Sequence, residues 1–281
     1  VRSHLRRSLT RDRLGCSFSS ADYCMISVIL PTYNEAGNIV DLIVAIHEAV
    51  SHPHEILVVD DNSPDGTSRL TQQLIDSGRV PGLRLETRTT DRGLRKSIWR
   101  GIELAKGDIV VWMDCDFSMP PAVIPQLLSK VEEGYDIAVG SRFVRGGSQK
   151  EHGEGESQIA ILLSSVLNVI LRVFLHFGFH DYTSGFIAVR RSVFSQIRLK
   201  GDYGEYFIDM MFRAILLKHS YIEIPYVCEK RRAGVSKTAP NIRVLLKRGV
   251  KYVWVIGVMQ GIRLRALCGF RITDPDALRV R

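Results

Sequence analysis

Ile109-Val110-Val111-Trp112-Met113-Asp114-Cys115-Asp116 gives the first structural reading of this 281-residue chain. Four consecutive apolar residues, three of them β-branched, suit a strand buried on both faces, as in a parallel sheet. Side chains alternate along an extended backbone, so Asp114 and Asp116 share one side of the strand's carboxyl end. Open α/β sheets bind ligands at that end. Two adjacent carboxylates repel and raise each other's pKa. A hard divalent cation relieves the conflict, and Mg²⁺ or Mn²⁺ is commonly held by one or two carboxylates together with substrate phosphates. A strand-end turn with two solvated aspartates is the competing reading.

On either side of that run, strands and helices alternate. Apolar runs predict strands at 26–30, 55–60, 83–87, 109–114 and 137–140, and helical spacing predicts helices at 38–50, 67–77, 94–105 and 122–133. This order specifies right-handed βαβ units, hence an α/β fold with a mostly parallel central sheet flanked by helices. Gly107-Asp108 and Gly134-Tyr135-Asp136 end helices ahead of strands. Residues 146–156 are polar throughout, the composition of a mobile functional loop. A helix at 157–177, a turn at Asp181, a strand at 186–189, a helix at 205–219, a short strand at 221–224 and a last helix from 241 to about 265 complete the chain. The predicted organisation is a basic, irregular extension over 1–24, a catalytic domain over 25–240, and a basic amphipathic helix and tail over 241–281. Met25, directly before the first strand, is a candidate start.

The hydrophobic fraction of 45% is enough for a sizeable core. Of the net charge of +8, residues 1–24 carry +3 and residues 230–281 carry +11, which leaves −6 on the body between them. A nucleic-acid binder would surround its reading surface with basic residues, so this division argues against one. It suits an anionic membrane surface or an anionic substrate. The five cysteines form no CxxC pair, and their odd count and irregular spacing argue against a disulfide framework or structural zinc site and fit a reducing, cytoplasmic setting. No run of 18 uninterrupted apolar residues marks a membrane span. Segments 159–179 and 252–262 read as interfacial helices, with burial in the core as the alternative for each.

The first strand runs into Pro31-Thr32-Tyr33-Asn34-Glu35 and the second into Asp60-Asp61-Asn62-Ser63-Pro64-Asp65-Gly66-Thr67. Together with Asp114-Cys115-Asp116 these strand ends make one acidic, hydroxyl-rich cleft. Ionised carboxylates only accept hydrogen bonds, so they suit ribose hydroxyls and nucleobase N–H groups. GxGxxG and GxxxxGK[ST] are both absent, which argues against a dinucleotide oxidoreductase and a P-loop kinase.

These three motifs, followed by Gly140-Ser141-Arg142-Phe143-Val144-Arg145-Gly146-Gly147 and Ser184-Gly185-Phe186, resemble the family 2 glycosyltransferases, and within them the dolichol-phosphate mannose synthase group. The resemblance spans about 26–237. It implies a nucleotide-diphospho-sugar transferase fold of the GT-A type, Mg²⁺ or Mn²⁺, a nucleotide-diphospho-sugar donor, and inverting transfer of a hexose to a polyprenyl or dolichyl phosphate. Mannose from GDP-mannose is the expected donor. UDP-glucose or another UDP-sugar, or transfer to a glycan hydroxyl, is the alternative.

Residue by residue, the resemblance puts Pro31, Tyr33, Glu35, Asp60 and Asp61 around the nucleoside, with Asp61 on the base. It makes Asp114 and Asp116 the metal pair, with Ser118 beside them. It makes Arg142 the acceptor-phosphate arginine, with Ser164 a further acceptor contact. Arg231, Ser236 and Lys237 fall in a segment that closes over the diphosphate. Asp181 either orients the acceptor or serves as a base if the acceptor is an alcohol; a capping aspartate is its plain structural reading. The chain departs from its relatives at two places. The Arg-Lys pair common at the start of the helix after the acceptor loop is replaced by Glu156-Ser157-Gln158, and the histidine often found after the metal motif is Met119. A phosphate monoester is largely a dianion at pH 7, its second pKa being about 6, so such an acceptor needs no general base. A lipid acceptor also implies a peripheral place on the cytoplasmic face of a membrane.

Overall fold

The computed structural model describes residues 24–149, 158–202, 204–232, 242–275 and 277–278. Strands β1 (Ile26–Thr32), β2 (His54–Asp60), β3 (Leu83–Thr87), β4 (Ile109–Trp112), β5 (Ile137–Ser141), β7 (Ile187–Arg190) and β8 (Tyr221–Pro225) form a seven-stranded sheet in the order β3-β2-β1-β4-β7-β5-β8. β1 pairs in parallel with β2 and β4, β2 with β3, and β5 with β8. The chain runs outward from β1 to β3 and then returns to β4 on β1's other side. The carboxyl ends of β1 and β4 therefore flank the point where strand order reverses, which is where open α/β sheets leave a crevice.

Helices cover both faces because alternate strand residues point each way. Val28 and Leu30 of β1 and Val111 of β4 pack with α1 (Ile39–Ala49), α2 (Thr67–Asp76) and α4 (Ile124–Glu132). Ile29, Val110 and Trp112 pack with α3 (Leu94–Leu104), α5 (Gln158–Phe174), α6 (Glu205–Leu216) and α7 (Ile242–Leu267). The helices fit by pattern. α1 buries Ile39, Leu42, Ile43 and Ile46, and α4 buries Ile124, Leu127, Leu128 and Val131; both sets have the i, i+3, i+4, i+7 spacing of a single face. Gly101 of α3 lies so close to β1 that an added Cβ would come within 2.4 Å of Ile29 Cγ2, which sets the helix–sheet approach.

Several expectations need correction. β4 ends at Trp112, so Asp114 and Asp116 sit in the loop beyond it, with residues 115 and 116 in a turn. Alternation along a strand therefore does not explain how they are placed. β7 is antiparallel to both neighbours. It begins at the sheet's carboxyl edge, because α5 and the turn at Asp181 return the chain there, and periodicity carries no strand direction. Part of the polar 146–156 loop is ordered by pairing: β6 (Ser148–Gln149) lies parallel to β9 (Val227–Cys228). Residues 150–156 of that loop, and the extension at 1–23, lie outside the described residues.

The last helix is partly core. Val255 and Met259 are buried against α6, so Met259 does not belong to an outward apolar face. Beyond the helix, buried Asp274 pairs with the buried guanidinium of Arg213, which also pairs with Asp209. Breaking a buried pair by removing one partner leaves an uncompensated charge, at a cost of about 3–5 kcal/mol. This lock holds the C-terminal strap to α6.

Candidate active site

A cleft of about 480 Å³ opens at the reversal point, lined by Pro31, Tyr33, Glu35, Asp61, Asp114, Asp116 and Arg231 among others. Three of the loops that build it each turn on a left-handed residue that is not glycine: Asn34 after β1, Asn62 after β2 and Phe117 after β4. Asparagine tolerates this conformation, whereas a phenylalanine is unusual there and depends on its surroundings. The Arg232 guanidinium lies 3.7 Å from the Phe117 ring centroid and the Arg232 N–H donates to the Asp116 carbonyl at 3.2 Å, so the segment after β9 clasps this turn.

The acidic pair is asymmetric. Asp116 is buried; its Oδ1 accepts the Ser118 N–H at 3.0 Å and its Oδ2 pairs with Arg231 Nη1 at 3.1 Å. Asp114 opens into the cleft, and its carboxylate accepts no hydrogen bond among the described residues. Its pKa is pushed up to about 6, first by the protein walls that desolvate it and then by the charge of Asp116. Among the described residues no group of three or more His, Cys, Asp or Glu could hold a metal by itself. Two hard oxygen donors in mutual repulsion, one of them uncommitted, fit Mg²⁺ or Mn²⁺ completed by water and phosphate oxygens.

At the other end of the cleft Asp61 accepts from Ser97 Oγ at 2.7 Å, the Gly93 N–H at 2.6 Å and Arg88 Nη1 at 3.1 Å. Two buried side chains and a backbone amide thus fix its orientation. Asp60 does not line the cleft. It is fully buried and accepts from Thr32, Ser63 and Ser68, so it shapes the 61–68 loop rather than meeting a ligand. Ser118 likewise lies behind Asp116, buried, and its backbone holds that carboxylate. The sequence reading missed Arg88, Arg92, Gly93, Leu94, Ser97 and Asp202. Arg88 to Gly93 follow β3 directly, and their position at a fourth strand's carboxyl end was the available signal.

Arg142 follows β5 and forms a fork on Asp181. Nε donates to Oδ2 at 2.9 Å, Nη2 to Oδ1 at 2.8 Å, and the backbone N–H to Oδ2 at 3.0 Å. Nη2 also donates to Thr183 Oγ1 at 2.9 Å. Burial alone would lower the guanidinium pKa; the paired Asp181 outweighs it and raises it. Asp181 is fully buried and committed to this pair, an environment unlike that of an open general base. Three of Arg142's five N–H donors are used on protein, so Nη1 is the group it can offer a ligand. Ser164 lies one turn before Asn168 on α5, next to this cluster. Ser236 and Lys237 lie outside the described residues.

A parallel-centred sheet with an acidic cleft at its reversal point defines a nucleotide-sugar transferase fold of the GT-A type. Two solved structures share it: glucosyl-3-phosphoglycerate synthase from Mycobacterium tuberculosis in complex with Mn²⁺, UDP and glucosyl-3-phosphoglycerate (TM-score 0.60, 21% identity, covering 88% of this chain and 81% of that one), and mannosyl-3-phosphoglycerate synthase from Rubrobacter xylanophilus (TM-score 0.62, 19% identity, 91% and 79%). The glycosyl transferase family 2 model matches residues 27–198, and the chain belongs to that family. It is a glycosyltransferase. Over 225 residues it is 38% identical to polyprenol monophosphomannose synthase of Mycolicibacterium smegmatis, covering 77% of this chain and 82% of that protein. Over 219 residues it is 35% identical to dolichol-phosphate mannosyltransferase of Pyrococcus furiosus, covering 75% of this chain but only 58% of that longer protein.

Proposed function

We propose that this protein transfers mannose from GDP-mannose to a polyprenyl phosphate, with inversion, in a reaction that depends on Mg²⁺ or Mn²⁺. The observation that carries the reading is the Asp114/Asp116 pair with Arg231 on the cleft floor, in a chain 38% identical to a polyprenol monophosphomannose synthase. Asp114 and Asp116 would hold the cation. When bound, it supplies Lewis-acid stabilisation of charge developing on the diphosphate.

The chain's own residues do the rest. Asp61, held by Arg88 and Ser97, accepts N–H groups of the base, while Tyr33 and Glu35 line the nucleoside end of the cleft. Arg231 and Lys237 offer positive charge to the diphosphate, and Arg142 Nη1 offers it to the acceptor phosphate. An acceptor oxygen bonds to the anomeric carbon as the bond from that carbon to the diphosphate breaks, and the nucleoside diphosphate leaves with the electron pair. Because the attacking phosphate is already a dianion, no side chain has to take a proton. This agrees with an Asp181 that is fully buried and paired.

The protein works as a peripheral protein on the cytoplasmic face of its membrane. No helix among the described residues is long and apolar enough to cross one. α5 and α7 expose Leu162, Val166, Val173, Trp254 and Leu264, an apolar surface suited to lying on lipid.

A panel of GDP- and UDP-sugars with a polyprenyl phosphate, with Mg²⁺, with Mn²⁺ and with chelator, tests the proposal. Lipid-linked mannose formed from GDP-mannose only when metal is present is the expected result. Preference for a UDP-sugar would redirect the donor assignment, and undiminished transfer in chelator would remove the metal.

A further inference from the structure

Asn168 is a buried polar residue on α5, a helix whose neighbouring side chains Val166, Val169 and Ile170 are exposed. All its amide groups are used. Oδ1 accepts the Tyr182 N–H at 2.8 Å. Nδ2 donates to Thr183 Oγ1 at 2.7 Å and to the Ser164 carbonyl at 3.1 Å. Thr183 Oγ1 also accepts from Arg142 Nη2 at 2.9 Å and stands 3.2 Å from Asp181 Oδ1. An amide NH₂ and a guanidinium can only donate, so the single hydroxyl proton of Thr183 must go to Asp181. One hydrogen-bond pattern therefore satisfies the whole cluster, and Asn168 sets its direction.

We propose that Asn168, acting through Thr183, is a positioning residue for the acceptor phosphate. It fixes the guanidinium of Arg142 so that Nη1 faces the ligand, and it ties that arginine to α5. The inference rests on the acceptor reading of the preceding section. A cation held on three donors by fixed partners needs no reordering when phosphate arrives. The start of α5 carries no Arg-Lys pair, so a single well-held cation on this side has more to do. Because Asn168 points inward where its helix neighbours point outward, a shift of α5 on its outer face is transmitted to Arg142 by two hydrogen bonds.

Asn168→Asp keeps the acceptor for Tyr182 but replaces the donor to Thr183 with a second acceptor, which one hydroxyl proton cannot satisfy together with Asp181. Thr183→Val removes the relay, and Thr183→Ser keeps its hydroxyl. Steady-state transfer with GDP-mannose and farnesyl phosphate as the probe acceptor, alongside calorimetric binding of GDP, separates the possibilities. Asn168→Asp and Thr183→Val should lower kcat/KM for the acceptor by ten- to a hundredfold, mainly through KM. Thr183→Ser should restore it to within about threefold, and the GDP Kd should stay within twofold throughout. Acceptor kcat/KM unchanged in both damaging variants, or an equal loss in GDP affinity, would overturn the inference and leave the proposed function standing. If wild-type protein transferred nothing to farnesyl phosphate or a longer polyprenyl phosphate, the function would fall and this inference with it.

Discussion

At the scale of single residues, the cleft separates side chains that meet ligand from those that hold others in place. Under the proposed function Asp116 is of the first kind, and its ion-pair partner Arg231 is partly exposed to solvent. Asp116→Ala should therefore lower transfer by more than tenfold, a loss above about 1.4 kcal/mol of transition-state stabilisation. The melting temperature should change little. Rate and thermal melt measured on one preparation check both halves. Under the proposed function Arg142 would do both jobs, and its substitution reads out differently. Arg142→Ala leaves Asp181 buried and unpaired, which costs about 3–5 kcal/mol of stability. Adding Asp181→Asn should recover part of the stability but none of the acceptor use, since no cation returns. Urea denaturation of the two single variants and the double variant closes that cycle; additive losses would contradict it.

At the scale of elements, the sheet's edge is pinned by a titratable contact. Asp136, at the start of β5, accepts the Ser220 N–H at 2.8 Å and the Ser220 hydroxyl at 2.9 Å just ahead of β8, and its own N–H donates to Ser220 Oγ at 2.9 Å. Burial alone would raise its pKa; the nearby His219 ring, 3.6 Å away, and the hydrogen bonds from Ser220 overcome that and hold it at about 2. A carboxylate depressed below its unfolded value of about 3.9 contributes stability above that value and loses it as pH falls through the folded pKa. The contact should contribute about 1–2 kcal/mol at neutral pH, reduced by its partial exposure, and the contribution should fade between pH 4 and pH 2. Asp136→Asn should flatten that part of the stability profile. An unchanged acid limb in denaturant titrations would show that the β5–β8 junction does not depend on this charge.

At the scale of the whole molecule, α7 meets the end of α5: Arg263 and Gln260 of α7 donate to the carbonyl of Phe174, the last residue of α5. Val173 on α5 and Trp254 and Leu264 on α7 are exposed, as is Phe177 in the turn after α5. Binding to anionic vesicles should need both helices, because neither apolar face is large alone, and it should weaken with salt as basic residues are screened. Val173→Asp and Trp254→Asp should each reduce co-sedimentation, and the pair should abolish it. Deleting α7 is the poorer test, since Val255, Met259 and the Asp274–Arg213 lock would go with it. Binding that ignores both substitutions would place lipid contact elsewhere on the surface.

Most of the α/β fold was legible in the sequence, because local patterns record it. Apolar runs of strand length, helical spacing such as Ile39, Leu42, Ile43 and Ile46, and Gly107 and Gly134 between elements depend on near neighbours alone. The cleft-facing acids were legible as well, since residues beyond a parallel strand's carboxyl end must gather at one edge. Long-range pairing is not written in any local pattern. The sequence alone showed neither that β7 runs antiparallel between β4 and β5, nor that Met259 turns inward, nor that Asp274 closes on Arg213. It grouped Asp60 with Asp61 and Ser118 with the metal pair, and it could not choose among three readings of Asp181. In the fold, Asp60 and Ser118 lie behind the cleft wall, while Asp181 is fully buried against a guanidinium. Residue type and spacing determine which chemistry is available; which carboxylate stays open to a ligand is decided by the partners that packing brings to its oxygens.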